Sequence, residues 1–266
     1  MLSHAARAAT IVSDQGEDVA SDVNVVVDLR VRHPESTTNA PTSPTTHRDN
    51  VVVIPGLAGG RLGRATRLQK ATKRGIDIMG AITALTLATP LLTLTAILIK
   101  LTSPGPVLYR QIRIGQNGIP FTFLKFRSMY TDADTRRADL EAHNEAEGPI
   151  FKIKQDPRIT PIGRIIRKFS IDEAPQLLHV LTGKLSLVGP RPHLPEEVNA
   201  YDGIAHRRLA VKPGITGIWQ VSGRSDLDFD TWIDLDIQYL DTWSVGLDLK
   251  LLAKTITAVT TARGAY

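Results

Sequence analysis

The chain contains no cysteine. That excludes disulfides, thiolate metal ligands and a cysteine nucleophile. Aromatic residues make up only 5% of it, which argues against a stacking platform for single-stranded nucleic acid. A net charge of +5 and a pI near 9.5 suit anionic lipid, a phosphorylated substrate or nucleic acid. The basic residues are scattered and no recognition motif appears, so nucleic acid is set aside as a partner. No internal repeat is visible. At 266 residues the chain has room for one domain and an extension.

Long hydrophobic runs are also scarce. There is one, IDIMGAITALTLATPLLTLTAILIKL, from Ile76 to Leu101, uncharged from Ile78 to Ile99. That is roughly the twenty residues a helix needs to cross a bilayer core. It begins well inside the chain, unlike a cleavable signal peptide. Pro90 sits near its middle, so a kink or break is expected at Thr89–Pro90. Lys70, Lys73 and Arg74 precede the run, and Lys100, Arg110 and Arg113 follow it. Basic flanks mark the cytoplasmic side of a membrane segment, and here both flanks are basic. A re-entrant helix-break-helix keeps both on one side. An ordinary span with a proline kink, or a buried core helix, are the other readings of the same stretch.

Met1 to Gln69 reads as a polar extension, expected to be disordered. Val23–Val31 and Val51–Ile54 are strand-like, but the Ser/Thr/Pro-rich segment between them cannot bury a core. The glycines at Gly56, Gly59, Gly60 and Gly63 lack the Lys-Ser/Thr of a P-loop and read as a linker. Residues 70–102 are expected to form the anchor and 103–266 a compact domain beyond it. Within the latter, Val107–Ile114 and Phe121–Phe126 flank Asn117-Gly118, a hairpin signal. A solvated helix is expected over Asp132–Glu147, a strand over Lys184–Val188, and helices over Pro195–Val211, Phe229–Leu240 and Leu247–Thr260. The fold class is thus α+β, mostly helical, with a short hairpin and interfacial amphipathic helices. Trp219, Trp232 and Trp243 fit either core or membrane interface. Asp226, Asp228, Asp230, Asp234 and Asp236 lack the glycine and terminal glutamate of a calcium loop and read as a solvated acidic face.

The sharpest local feature is Asp172-Glu173. Ser170 followed by Glu173 has the form of a capping box opening a helix from Ile171 to Thr182. Arg164, Arg167 and Lys168 lie just before it. A helix N-terminus in a basic field suits a phosphate, and an ionised Asp172 there suits a nucleophile or a Mg²⁺ ligand. Alone, the pair is better read as helix capping. Lys125 and Arg127 fit phosphate contacts or interfacial anchors. His179 reads as a buried, satisfied histidine.

Taken together, KRGIDIMGA, SPGPVLYRQIRIGQNG, FTFLKFRSM, PRITPIGRIIRKFSIDEAPQLLHVLTGKLSLVGPRP and KPGITGIWQVSGR resemble, in that order, the bacterial sugar transferases. These are monotopic phosphoglycosyl transferases of the cytoplasmic membrane, and the resemblance runs from Lys73 to the C-terminus. It implies transfer of a sugar phosphate from a UDP-sugar to a polyprenyl phosphate such as undecaprenyl phosphate. UMP is released and exopolysaccharide or another glycoconjugate is begun, with the catalytic domain on the cytoplasmic side of the inner membrane. It implies Asp172 as nucleophile, Glu173 with Asp172 as Mg²⁺ partner, Arg167 as a phosphate ligand, and Pro190-Arg191-Pro192 as the uridine-contacting loop. It also implies Thr89-Pro90 as the membrane break, with Thr where Ser is common. Glucose or galactose is the favoured sugar. A homodimer and downstream glycosyltransferases are further partners this reading admits. The competing reading is an inactive membrane-anchored adaptor, which would not need the dyad.

Overall fold

The computed structural model describes residues 25–27, 52–54, 59–145, 151, 153–201, 203–223 and 227–261. In the N-terminal extension, β1 (Val25–Val27) and β2 (Val52–Ile54) pair antiparallel with Val25 opposite Ile54. Both fall in the segments read as strands, and the disorder expected around them lies outside the described residues. The linker reading is corrected from Gly59 onward, where α1 (Gly60–Gly63) begins. Gly60 takes φ +56°, and a Cβ there would come within 2.5 Å of the Leu240 carbonyl. Only glycine allows both the conformation and the approach. Leu62 and Ala65 are buried in the main core, so the packed body starts before Lys70.

Helix α2 (Arg67–Thr102) spans 36 residues. Thr66 and Gln69 form its capping box: the Gln69 N–H donates to the Thr66 hydroxyl and the Thr66 N–H to the Gln69 side chain. Its apolar stretch has a mean hydropathy of 2.0 and is largely unburied by protein. Among the described residues it is the one helix long and apolar enough to cross a membrane. The chain does not leave the helical state at Thr89–Pro90. The Thr89 hydroxyl donates to the Leu85 carbonyl at 2.7 Å, adding a local bond where Pro90 has no N–H to give. Both ends of α2 dock on the same body of protein. Ala81 enters the main core, and Ile99 packs with Phe126 and Ile166. Between them Ile82, Leu87, Leu91 and Leu94 are exposed.

The hairpin forms as expected from β3 (Leu108–Ile114) and β4 (Pro120–Phe126), with Leu108 opposite Phe126. Asn117 and Gly118 take φ of 57° and 73°, left-handed values that Asn and Gly tolerate best. Thr135–His143 is a 3-10 helix with no buried residue, a tighter form of the solvated helix expected there. In α3 (Pro161–Lys168) the Thr160 hydroxyl accepts the Gly163 N–H. A 3-10 turn, Ile171–Gln176, then leads into α4 (Leu177–Leu181).

Strand β5 (Ser186–Val188) follows, then α5 (Pro195–Asn199) and a 3-10 turn over Ala205–Ala210. The single helix expected from Pro195 to Val211 is therefore two short pieces. Arg208 in the second is not a surface cation. It is buried on Asp236 at 2.5 Å. Strand β6 (Gly214–Thr216) lies parallel to β5. Helices α6 (Ile218–Ser222), α7 (Phe229–Thr242) and α8 (Val245–Thr261) complete the chain. Asp228 caps α7 through the Thr231 N–H. Asp228, Asp230 and Asp234 are exposed, as a solvated acidic face requires. Asp236 is fully buried, which corrects that reading at this position, and Asp226 lies outside the described residues. Trp243 is core, while Trp219 and Trp232 stack at 4.5 Å.

The fold is mostly helical, with three two-stranded sheets among the described residues. Its main core gathers Phe123, Val180, Leu185, Val188, Leu240 and Trp243. Strands β5 and β6 meet so closely at Gly189 and Gly214 that a Cβ on Gly214 would overlap the Gly189 backbone. Gly214→Ala is therefore expected to cost about 1–3 kcal/mol of stability through overpacking. Thermal unfolding in detergent measures this, and an unchanged midpoint would contradict so close a contact.

Candidate active site

Asp172 and Glu173 sit on the 3-10 turn after α3. Ser170, which leads into that turn, takes φ 54°, a left-handed value uncommon for a non-glycine residue. Its side chain caps nothing. The capping box expected there is absent because this conformation turns the chain sharply. The Ser170 backbone is used instead, its carbonyl accepting the Glu173 N–H at 3.2 Å and its N–H donating to the Arg167 carbonyl at 2.9 Å. The long helix expected from Ile171 to Thr182 is likewise divided, with Pro175 inside the 3-10 segment. Ile171 packs in the cluster of Ile99 and Phe126. The dyad is thereby seated between the hairpin and α2.

Freed from capping, Glu173 meets Arg191. The two guanidinium nitrogens donate to the two carboxylate oxygens at 2.5 and 3.1 Å, a bidentate geometry suited to Arg. Burial would raise the Glu173 carboxyl. Arg191, with Lys125 and Arg113 beyond it, overrides this and holds it below the usual range. Asp172 behaves oppositely. Burial, reinforced by the Glu173 charge, pushes it up to about 6 against the pull of Lys125, Arg167 and Arg191. The readily ionised Asp172 expected from sequence is corrected to this extent.

Arg191 is held by a loop whose backbone is tied at successive residues. The Val188 carbonyl accepts from Lys73 at 2.9 Å, with the Tyr239 hydroxyl oxygen 3.1 Å away. The Gly189 N–H donates to Thr216 and the Pro190 carbonyl accepts from Gly214. The Arg191 carbonyl accepts from Arg208 at 3.0 Å and the Pro192 carbonyl from Arg113 at 2.6 Å. The His193 carbonyl accepts the Ile114 N–H. Pro190 and Pro192 are buried, fix φ and have no N–H to satisfy. His193 is kept neutral by burial, with Arg208 and Arg113 adding to the effect.

Of the other expected site residues, Lys125 on β4 places its ammonium 5.3 Å from the centre of the Tyr109 ring. Burial, with Arg113 adding to it, lowers it to about 8. Arg167 lies in the last turn of α3 and lines a basic groove of about 480 Å³ with Lys154, Arg164 and Lys168. Its charge also favours the ionised form of Asp172. Arg127 does not face the dyad. It is buried and donates to the Ser103 carbonyl and hydroxyl at 2.8 Å and to the Pro104 carbonyl, fixing the turn that ends the anchor. His179 is a satisfied histidine, its Nε2 accepting the Leu124 N–H at 3.2 Å. Thr89 and Pro90 stand apart from the site, in the exposed part of α2.

Sequence reasoning missed Arg113 and Arg208 as loop holders, and gave Lys73 only a flanking role. One signal was present: Asp77, an acid at the edge of the apolar run, four residues after Lys73 and so on the same helical face.

Residues 68–262 match the family described as bacterial sugar transferase. The chain belongs to that family. It is 45% identical over 194 residues to the galactosyl transferase CpsE of Streptococcus agalactiae, covering 73% of this chain and 43% of that protein. It is 42% identical over 199 residues to the exopolysaccharide production protein ExoY of Rhizobium meliloti, covering 73% of this chain and 88% of that one. The undecaprenyl-phosphate galactose phosphotransferase of Salmonella typhimurium is 42% identical over 207 residues, 76% of this chain and 43% of its own length. The chain thus spans less than half of two of these relatives and most of the third.

A buried carboxyl raised to about 6 lowers stability when it ionises. The penalty is absent below the unfolded value near 3.8 and is complete above about 6. Asp172→Asn is therefore expected to stabilise the fold at pH 8, on the order of 3 kcal/mol, and to do nothing near pH 3.5. Thermal midpoints across pH check this, and a destabilised mutant at pH 8 would contradict it.

Proposed function

We propose that the protein transfers a sugar 1-phosphate from a UDP-sugar to a membrane polyprenyl phosphate with release of UMP. The observation that carries this is Asp172, a buried carboxylate in the combined field of Lys125, Arg167 and Arg191. A diphosphate placed among these cations brings its β-phosphorus to the one carboxylate not already bound to an arginine. An Asp172 oxygen attacks that phosphorus, and the bond to the bridging oxygen breaks. UMP leaves with that oxygen, and the phosphosugar stays on the enzyme as an acyl phosphate. A polyprenyl phosphate oxygen then attacks the same phosphorus and Asp172 departs as a carboxylate. One pocket serves both half-reactions in turn.

Magnesium fits the donor set. Asp172 and Glu173 are hard oxygen donors, and no cluster of three such groups occurs among the described residues. Two carboxylates suit an ion shared with a diphosphate rather than a protein-only cage. The ion would supply neutralisation of the diphosphate charge. Glu173, held below its usual range, stays available as a carboxylate.

The anchor reading is a re-entrant helix over residues 70–102, with the catalytic domain, residues 103–266, on the cytoplasmic side of the inner membrane. Support comes from the docking of both ends of α2 on one body, which a straight span cannot do across a bilayer. This holds the dyad at the plane of a lipid phosphate. Hexoses are the favoured donors, galactose foremost, since that sugar stands in the names of two relatives. Exopolysaccharide assembly, the context in the ExoY name, is the pathway this favours.

Purified protein in nanodiscs, given undecaprenyl phosphate, Mg²⁺ and a panel of UDP-sugars, is expected to release UMP with a hexose donor. Asp172→Asn is expected to release none. Donor-limited rates should fall as pH drops below about 6 and Asp172 takes a proton. Full activity in Asp172→Asn would reduce the dyad to a structural turn and overturn the reading.

A further inference from the structure

We infer that Lys73 and Asp77, at the entry of the membrane helix, are positioning residues for the donor nucleotide. They hold β5 and the Gly189–Pro192 loop in a place set by the anchor. The inference rests on the reading above, in which that loop receives the UDP-sugar.

Strand β5 has β6 on one edge, with Ser186 opposite Gly214 and Val188 opposite Thr216. Its other edge would leave backbone groups without partners. Helix α2 supplies them with side chains. One Asp77 oxygen accepts the Leu187 N–H and the Ser186 hydroxyl, both at 2.9 Å. Lys73, one turn earlier on the same face, donates to the Val188 carbonyl at 2.9 Å. The pair thus treats β5 much as a neighbouring strand would, and Val188 leads directly into Gly189, Pro190 and Arg191.

A lysine serving only to flank a membrane segment extends toward headgroups and water. Lys73 turns inward instead. Its side chain is 11% exposed and bound to Asp248, 3% exposed, at 2.7 Å. The same carboxylate accepts from the Tyr239 hydroxyl at 2.7 Å and the Trp243 indole at 3.1 Å. Lys73 closes the network by donating to the Tyr239 oxygen at 3.3 Å as well. A charge buried this way is costly unless paired, and the pairing fixes where Val188 must lie. Displacement of α2 would carry β5 with it and move Arg191 away from Glu173 and Asp172.

The test separates the two half-reactions in nanodisc-held protein. UMP release without acceptor reports donor binding, and discharge of the loaded enzyme by polyprenyl phosphate reports acceptor binding. Lys73→Met is expected to raise the half-saturating donor concentration about tenfold, as for a lost hydrogen bond to a charged group. The acceptor value should stay within about twofold of wild type. Lys73→Gln, whose amide can still donate to Val188, should recover most of the loss. Asp77→Ala should behave like Lys73→Met, and Asp77→Asn, which keeps the accepting oxygen, like wild type.

Unchanged donor saturation in folded Lys73→Met and Asp77→Ala would overturn the inference. So would a fall in rate alone at unchanged saturation, which signals fewer folded molecules. Failure of both variants to accumulate as folded membrane protein would assign the pair to folding and overturn it too. Absence of UMP release by the wild type would instead remove the functional reading, and this inference with it.

Discussion

The bidentate contact between Arg191 and Glu173 governs the chemistry available here. Two adjacent carboxylates in one buried turn would otherwise share a field and titrate as equals. Arg191 takes one of them, so Glu173 is held down while burial and its neighbour's charge lift Asp172. Pairs of acids driven apart in this way divide a task between them. The contact depends in turn on a loop whose carbonyls are held from three directions: by Lys73 of α2, Arg113 of β3 and Arg208 near α5. The elements that hold that loop thereby converge on one guanidinium.

Helix α2 is therefore part of the candidate site's frame. Its entry end binds β5 through Asp77 and Lys73. Its exit end packs Ile99 against Phe126 and Ile166, and Arg127 ties the following turn to β4. The dyad turn lies between these contacts, with Ile171 in the exit cluster. Such an arrangement suits a reaction between a soluble nucleotide and a lipid phosphate. On the proposed reading, the distance from membrane to nucleophile is fixed by packing rather than by a linker.

Local features were legible in the sequence. Asn117-Gly118 announced the hairpin, the apolar run announced α2, and the patterns of the last two helices placed α7 and α8. Asp172, Glu173 and Arg191 were singled out on motif resemblance, and the structure brings them together. What failed were readings that depend on tertiary partners. Ser170 and Glu173 have capping-box spacing, but Ser170 is left-handed and Glu173 pairs with Arg191, eighteen residues away. Asp236 looked solvated until Arg208, twenty-eight residues away, buried it. Arg127 was weighed as a phosphate ligand, yet its donors go to a turn twenty-four residues earlier. Gly59 to Ala65 had a linker's composition, and only contact with Leu240 and Asp241 gives Gly60 its packing role. Side-chain spacing reveals partners within a helical turn or across a hairpin, not across a fold.

The measurement that bears most directly on the central claim is the site of the covalent intermediate. Protein incubated with its UDP-sugar and no lipid acceptor, then digested and mapped by mass spectrometry, should carry the phosphosugar on Asp172. Added polyprenyl phosphate should remove it. An adduct on Glu173 would mean that Arg191 does not divide the dyad as described. Steady turnover with no trapped adduct would mean direct transfer between the two substrates, and would contradict the account.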